Sequence, residues 1–548
     1  MVDLVIYGGT VVDGTGAPPF PADVLIEGDR ILDVVRRPEG TGDAAGAAGG
    51  APAPAGARAI DARGRTVTPG FVDAHSHSDW SIHTNPVAES TVRQGITTEV
   101  VGNCGIGNAP VSPRSRDAVR ARLAGFGYDG PVTWSTFGEY LDAVQGMGTS
   151  PNLAWFVGHS TVRAAAGVSG ARVTAAQGEA MRALVGEAMA AGALGISTGL
   201  EFEPGRTATR EELVDLAAVA GAHGGFYTSH IRNRDAALQD AVEEFLDVSR
   251  RAGARAQLSH LNVRHNTGAP EGAWQRAVET MEGARRGGLD VLADMTPLQD
   301  GIGLLAGILP PWLRALAPDE AVAALRDPAT RARLRGECDR YWRFIHRGEW
   351  ERVRVQASAQ HPEVNGLSFP EIAARWRQDE WDCLFDLLAD AGAAMDDLTG
   401  VSLLFTEDHL AEMAARPDFC FAVDGYTTHV EGPLAARTRH PLGFAGMVHY
   451  LTHHVRERGT VSLEAAVHKM TALPAWHFGL RDRGALAAGL RADVVVLDFE
   501  RLEDGSTPDR PLAYCRGVEQ VLVNGVPVVQ DGAHTGARPG RVLRRAGP

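Results

Sequence analysis

The sequence predicts an α/β protein: a TIM-type (β/α)8 barrel, a small β-sandwich domain composed from both termini, and a helical insertion near the expected functional site. Three observations predict this architecture. Both ends of the chain show the period of two that is typical of strands, and the middle alternates short apolar runs with amphipathic segments. This alternation is lost over about 304–415, where the composition becomes helical and charged.

The two ends of the chain are expected to fold together. Near the C-terminus, Val518–Val523 and Val526–Val529 flank Asn524-Gly525, which is a strong hairpin signal. Similar strand-like runs occupy the N-terminal segment, so we predict one β-sandwich domain built from residues 1–66 and 484–548. The Gly/Ala/Pro-rich stretch at about 38–56 has too few large apolar residues to pack and is predicted to be a surface loop.

Residues 67–483 are predicted to form the barrel. Apolar runs such as Phe226–Ser229 and Val291–Ala293 alternate with amphipathic runs such as Arg210–Ala222, and enough of these units recur for eight strands. The insertion at about 304–415 then falls between the seventh and eighth strands, which places it at the catalytic face of such a barrel.

Composition and charge exclude several classes of protein. The chain has 548 residues, of which 44% are hydrophobic and 22% charged, and 53 Lys and Arg against 68 Asp and Glu give a net charge of −15. A net anion without a basic stripe is a poor partner for nucleic acid, and no apolar run is long enough to span a bilayer. The five scattered cysteines do not form a disulfide pattern. We expect a cytoplasmic protein, without nucleic-acid or membrane partners, that acts on a small molecule; a homo-oligomer is compatible with this composition.

Four histidines lie where predicted strands end. His75 and His77 follow a short apolar run and point to one side, because side chains alternate along a strand. His230 and His260 each end an apolar run and are each preceded by Ser. One such histidine alone is well explained as a structural hydrogen-bonding residue, but four at three strand ends indicate a first-row metal site, for which zinc is the default metal.

Two further residues lie at the ends of apolar runs. Cys104 ends the run at Val100-Val101 and would be an inert buried thiol in most proteins, but beside a metal it becomes a thiolate ligand. Asp424 follows Phe421-Ala422-Val423 and precedes Gly425, where a turn or capping role is the ordinary interpretation. As the last acidic residue of the rim, it is the natural general base.

At these residues the sequence resembles the amidohydrolase superfamily, and within it the group of D-aminoacylases (N-acyl-D-amino-acid deacylases). The matching segments are Gly8–Gly16, Gly64–His77, Gly102–Gly105, Gly199–Phe202 and Gly489–Val496. The resemblance implies a barrel with a composite β domain. It also implies one tight metal held by Cys104, His230 and His260, with His75, His77 and Asp424 beside a weaker second site that Cys104 bridges.

The same resemblance implies hydrolysis of a C–N amide bond. Water activated by the metal would attack the amide carbonyl, and Asp424 would take a proton and pass it to the departing nitrogen. Many two-metal relatives bridge their ions with a carboxylated lysine. Lys469 is the only lysine here and follows the last predicted strand, so another anion must form the bridge, and Cys104 is the available one.

The sequence departs from the family where substrate is bound. Asn262 replaces a lysine that follows the second rim histidine, and Thr296-Pro297-Leu298 replaces a Tyr-Pro-Tyr sequence. In the family the lysine and first tyrosine help to hold the substrate carboxylate, and neutral side chains cannot supply that charge. Arginines after the strands are candidates to replace it: Arg163, Arg232, Arg234 and Arg264. His159 is predicted to orient the site, and the expected substrate-binding residues are His159, Arg163, Arg232, Asn262 and Thr296.

Three other functions remain open at this point. The same metal site serves enzymes that open cyclic amides or imides, as hydantoinases and dihydropyrimidinases do, and other amidohydrolases that act on an amide lacking an α-carboxylate. It also serves deaminases that attack an aromatic amidine carbon. The third alternative is a degenerate barrel that only binds a ligand, which would require no metal and no function for Asp424.

Overall fold

The computed structural model describes residues 2–38, 56–338, 343–438, 440–508 and 510–545. The predicted loop at about 38–56 lies almost wholly outside the described residues. Within the described ranges, no helix is both long and apolar enough to cross a membrane.

Parallel strands form the centre of the protein in two adjoining sheets. One sheet contains Phe71–Asp73, Ile96–Val101, Asn152–Trp155 and Val542–Leu543, and the other contains Val157–Gly158, Gly195–Gly199, Phe226–His230, Arg255–Leu258, Val291–Met295 and Phe419–Phe421. Only Phe156 separates the adjoining strands of the two sheets, and its amide donates to the Val101 carbonyl at 2.9 Å. At the opposite ends of the sheets, Ser76 pairs with Gly425 in a parallel bridge. The last parallel strand thus leads back to the first.

Helices follow these strands, as the predicted alternation requires. The α-helices span Glu89–Val92, Arg116–Gly125, Phe137–Met147, His159–Ala166, Ala175–Ala190, Arg210–Ala222, Leu238–Ala252, Ala273–Arg286, Pro311–Arg314, Pro318–Arg326, Pro328–Glu337, Phe369–Trp376, Glu380–Ala391, Glu407–Ala415, Gly432–Arg437, Leu442–His449, Leu463–Lys469 and Ala472–His477, and a π-helix spans Tyr450–Glu457. The helix Leu238–Ala252 illustrates the local causes. It buries Val242, Phe245 and Leu246 on one face and ends at Gly253, whose φ of 59° suits a residue without a side chain.

Both ends of the chain contribute to one nine-stranded sheet. Its strands are Leu4–Val11, Phe20–Glu27, Arg30–Arg36, Arg58–Asp61, Thr66–Pro69, Val494–Leu497, Val518–Val523, Val526–Gln530 and Ala533–His534. The N-terminal strand Thr66–Pro69 pairs antiparallel with the C-terminal strand Val494–Leu497, which joins the two halves. The predicted boundary at residue 66 therefore falls at the start of this shared strand.

The long segment between the last two parallel strands is not purely helical. It is bounded by a three-stranded antiparallel sheet of Asp300–Leu304, Thr399–Leu403 and Val353–Ala357. Asp300 pairs with Leu403. These residues lie far apart in the sequence, so a pattern of neighbouring residues cannot predict that they pair. The segment also contacts the loop after His260, because the His265 amide donates to the Leu404 carbonyl at 2.7 Å.

A buried ion pair joins the terminal sheet to the parallel strands. Asp493 accepts hydrogen bonds from the Arg483 guanidinium, from the Asn524 amide at 2.7 Å and from Asn152 Nδ2 at 3.4 Å. We expect Asp493→Ala to destabilise the protein by about 3–5 kcal/mol, because it leaves the Arg483 charge buried without its partner. Denaturant unfolding followed by circular dichroism measures this loss. The control is Asp61→Ala, which breaks an exposed pair with Arg63 and should cost below about 1 kcal/mol; equal losses would contradict the assignment.

Candidate metal centre

The predicted histidines and cysteine converge around one sulfur atom. Cys104 Sγ lies 3.3 Å from His75 Nε2, 3.6 Å from His260 Nε2 and 3.9 Å from His230 Nδ1. Asp424 Oδ1 lies 3.2 Å from His77 Nε2 and 3.4 Å from His75 Nε2. All six side chains predicted as metal ligands thus meet at one place, although up to 349 residues separate them along the chain (75 to 424).

Strand ends deliver these side chains, and the backbone is strained where they enter. His230 is the last residue of its strand, and His75 follows its strand by two residues. Cys104, His260 and Asp424 have φ values of 53°, 33° and 56°. Residues other than glycine seldom adopt positive φ values. Such strain persists where surrounding contacts enforce it and is concentrated at functional sites.

The electrostatic environment keeps the thiol and the carboxyl group ionised. Burial raises the pKa of Cys104, but the charge on His75 and the hydrogen bonds of His230 and His260 outweigh it and hold that pKa well below its usual range. Burial likewise opposes ionisation of Asp424, yet His75, His260 and His77 lower its pKa to about 2. In return, the pKa of His77 rises to about 9 despite burial, because of Asp424 and Cys104. Without a metal, protons on the imidazoles therefore balance the two anions.

Carboxylates lie beside the outer nitrogens of two of these histidines. His75 Nδ1 lies 3.4 Å from Asp294 Oδ1, and His230 Nε2 lies 2.7 Å from Glu201 Oε2. Asp294 also accepts the His260 amide at 2.7 Å and Gln257 Nε2 at 2.7 Å. An acceptor on the outer nitrogen fixes the tautomer of a metal-binding histidine and orients its ring. The sequence analysis did not identify either carboxylate as a site residue, although Asp294 is an acid in an apolar strand and Glu201 lies in a matched motif.

The donor set fits a transition metal. His75, His77, Cys104 and Asp424 form one group of potential ligands, and Cys104, His230 and His260 form another; within each group the donor atoms lie within 4.8 Å of one another. Imidazole, thiolate and carboxylate donors are those that zinc accepts. Among the described residues, Cys104 is the side chain that these two groups share.

The predicted substrate residues divide into two sets. Asn262 and Thr296 are buried beside the rim, and Asn262 Oδ1, Asn262 Nδ2 and Thr296 Oγ1 lack hydrogen-bond partners among the described residues. Unpartnered buried polar groups are costly, so these atoms are poised for a ligand or water. Both follow strands that carry site residues, as the motif comparison predicted.

The other three predicted residues lie in ion pairs away from the six ligands. His159 Nε2 and Arg163 Nη1 lie 2.8 Å and 2.7 Å from Glu212 Oε1, and Arg232 Nε donates to Glu244 Oε2 at 2.9 Å. In the described structure none of the three contacts a predicted metal ligand. The carboxylate partners lie on helices later in the chain, Glu212 on Arg210–Ala222 and Glu244 on Leu238–Ala252. Short sequence motifs do not predict pairs between residues so far apart. The substrate roles expected for Arg163 and Arg232 stay predictions, and these ion pairs occupy their guanidinium groups.

The chain is similar to known proteins over nearly its whole length. Residues 58–339 and 398–529 match the model of the amidohydrolase family. The chain is 36% identical to N-acyl-D-glutamate deacylase of Alcaligenes xylosoxydans xylosoxydans, over 99% of this chain and 97% of the relative. Among solved structures it resembles N-acyl-D-glutamate deacylase of Bordetella bronchiseptica, complexed with zinc and a phosphonate inhibitor that mimics the tetrahedral intermediate (TM-score 0.78, 31% identity, 99% of both chains). It also resembles a D-aminoacylase with a binuclear metal centre (TM-score 0.79, 29% identity, 100% of both chains).

The fold and the six-residue site therefore define a metal-dependent amidohydrolase. The chain belongs to the amidohydrolase family, in the group of D-aminoacylases and N-acyl-D-amino-acid deacylases.

The pKa values predict that two zinc equivalents bind with different pH dependence. The pKa of His260 falls to about 4 because of burial and Arg234, and Cys104 is already a thiolate, so these two ligands of the first group need little proton release. His77, with its pKa raised to about 9, must lose a proton before it can bind zinc. Because the pKa of His75 is also raised, affinity for the second equivalent should rise with pH through about 9, while affinity for the first changes less. Chelator competition at several pH values measures both.

The variant His77→Gln serves as the control for this titration. It should weaken but not abolish the pH dependence of the second equivalent, because His75, whose pKa is also raised, must still lose a proton, and it should leave the first equivalent unchanged. Equal pH dependence for both equivalents would contradict the assignment of the two groups.

Proposed function

We propose that this protein is a zinc-dependent hydrolase of C–N amide bonds that acts on a small molecule and is most like an N-acyl-D-amino-acid deacylase. The observation that carries this proposal is the convergence of four imidazoles, one thiolate and one carboxylate at the carboxyl ends of parallel strands. That face of a parallel α/β structure is where catalytic residues collect. The names of the relatives described above support the same substrate class.

We also propose the architecture that underlies this site. The parallel strands from Phe71–Asp73 round to Phe419–Phe421 form a (β/α)8 barrel within residues 67–483. The bridge between Ser76 and Gly425 and the hydrogen bond from the Asp424 amide to the His75 carbonyl at 2.8 Å support its closure. Residues 1–66 and 484–548 form the β-sandwich domain, which the pairing of Thr66–Pro69 with Val494–Leu497 supports.

We assign Cys104, His230 and His260 to a tight zinc site and His75, His77 and Asp424 to a weaker second site that shares Cys104. The contacts of Lys469 support a thiolate bridge. Its Nζ donates to the Ala414 carbonyl at 2.6 Å and to the Arg416 carbonyl, and its side chain is buried in that place. The single lysine is therefore engaged elsewhere and cannot supply a carboxylated bridge.

Asp424 is the proton carrier in this proposal. Zinc, when bound, lowers the pKa of a water molecule to about 7 and polarises a carbonyl group. The Asp424 side chain is 26% exposed, whereas those of His75 and His77 are 0% and 9% exposed, so the carboxylate is open to an incoming substrate. It is ionised at neutral pH and can accept the proton that water loses as the C–O bond forms. It then donates that proton to the amide nitrogen as the C–N bond breaks, which yields a carboxylate and an amine.

A cyclic amide or imide is the second candidate substrate. The buried polar atoms of Asn262 and Thr296 are neutral, so these two positions can hydrogen bond to a ring carbonyl or N–H group as well as to a carboxylate. Parallel assays on linear N-acyl-D-amino acids and on hydantoins or dihydropyrimidines distinguish the two candidates.

We expect Asp424→Asn to lower kcat for amide hydrolysis by about 10²–10⁴-fold, because an amide cannot accept the proton from water. The first zinc equivalent should be retained, since Asp424 lies outside the group of Cys104, His230 and His260. Release of amine from an N-acyl-D-amino acid, with zinc analysis of the same sample, measures both quantities.

A matched control is Asp498→Asn, which alters a buried carboxylate in the terminal sheet that pairs with Arg65. This variant should keep full activity. A retained kcat in Asp424→Asn would remove Asp424 from the mechanism.

A further inference from the structure

One of the metal-site histidines has an unexpected neighbour. The outer nitrogens of His75 and His230 face carboxylates, but His260 Nδ1 faces a cation, with Arg234 Nη1 at 3.2 Å. A guanidinium only donates hydrogen bonds, so His260 Nδ1 must accept with its lone pair. The Nε2 atom, which faces Cys104, then carries the proton.

This hydrogen bond and metal binding by His260 exclude each other. A neutral imidazole has one lone pair. When Nε2 uses it to bind a metal, Nδ1 carries the proton and can no longer accept from Arg234. Occupation of the site by zinc therefore frees Arg234 Nη1 from its partner.

The remaining contacts of Arg234 do not neutralise it well. Its side chain is 10% exposed, and Nη2 lies 3.4 Å from Glu201 Oε2. Glu201 already receives two hydrogen bonds from Arg264, one of them at 2.7 Å, and lies 2.7 Å from His230. Arg234 Nε is buried and, like Arg163 Nε, has no hydrogen-bond partner among the described residues. A buried cation with an open donor and a shared carboxylate is a costly arrangement unless it serves to bind an anion.

The other candidate arginines are committed to carboxylates of their own. Arg163 forms two hydrogen bonds with Glu212, at 2.7 and 2.9 Å. Arg232 forms two with Glu244, at 2.9 and 3.1 Å, and Arg264 is bidentate on Glu201. Arg234 contacts a metal ligand directly and lacks such a bidentate partner.

We propose that Arg234 determines specificity by binding the carboxylate of the substrate, and that zinc binding releases it from His260 for this role. The inference rests on the proposed function, which supplies the scissile amide, and it names the anionic group of the substrate. Asn262 and Thr296 then complete the binding site with neutral donors. The site thus recognises an N-acyl amino acid carboxylate through an arginine in the loop after the Phe226–His230 strand.

The test compares an N-acetyl-D-amino acid with its carboxamide, which lacks the negative charge. In the zinc-loaded Arg234→Gln variant, the ratio of kcat/KM for the acid to that for the amide should fall about 100-fold or more, mainly through KM. Arg234→Lys, which keeps the charge but loses the guanidinium fork, should show a smaller fall. The control Arg251→Gln, which removes an exposed arginine that pairs with Glu211, should keep the ratio within about twofold of the wild-type value.

A binding measurement makes the test independent of turnover. Calorimetric titration with the free D-amino acid and with its amide should show that wild-type zinc-loaded protein prefers the acid, and that Arg234→Gln loses this preference at equal zinc content. The zinc-free wild-type protein should also lack the preference, because His260 then holds Arg234.

Failure of this inference differs from failure of the proposed function. If no amide is hydrolysed by zinc-loaded wild-type protein, the function itself is wrong. If amides are hydrolysed but both Arg234 variants keep the wild-type ratio of kcat/KM for the acid to that for the carboxamide, Arg234 does not bind the carboxylate. Loss of zinc in both variants, with equal loss of activity on acid and amide, would show instead that Arg234 only positions His260.

Discussion

The site depends on one constraint, which is that a buried thiolate must be surrounded by positive charge. Cys104 Sγ has three imidazole nitrogens within 3.9 Å and little access to water. An isolated anion in such a place would be protonated. In the metal-free protein, the positive charges of protonated His75 and His77 compensate the thiolate. The same charges also stabilise the ionised carboxylate of Asp424. A divalent cation replaces those protons with a charge that the same donors bind directly, so the geometry that stabilises the thiolate is also the geometry of a metal site.

Much of this arrangement was predictable from local sequence. Parallel strands bring their carboxyl ends to one edge, so residues that end apolar runs, such as His230 and Cys104, were expected to meet. The partners of these residues were not predictable in the same way. Asp294 and Glu201 face the histidines from other strands and loops, and the ion pairs that engage Arg163 and Arg232 come from helices further along the chain. The antiparallel pairing of Asp300 with Leu403 was not predicted either, because the sequence between these two residues has a helical composition.

Substrate recognition is separable from the chemistry in this protein. The proposed metal site rests on six side chains that the structure brings together, whereas the residues proposed to bind substrate at the rim, Asn262 and Thr296, are neutral. The structure contains a cation close by, in Arg234, but on the loop after a different strand. The insertion contacts the loop that carries Asn262, since Val263 donates its amide to His409 Nε2 at 3.1 Å. Changes in this segment can therefore alter substrate binding while Cys104 and its histidines stay in place.

The thiolate bridge is tested most directly by X-ray absorption at the zinc edge of protein loaded with one and then two zinc equivalents. The account predicts a sulfur scatterer at about 2.3 Å from zinc, together with nitrogen and oxygen scatterers at about 2.0–2.2 Å. The number of sulfur scatterers per zinc should stay the same after the second equivalent is added, because the one Cys104 sulfur binds both ions. A first shell of nitrogen and oxygen alone would contradict the central role of Cys104.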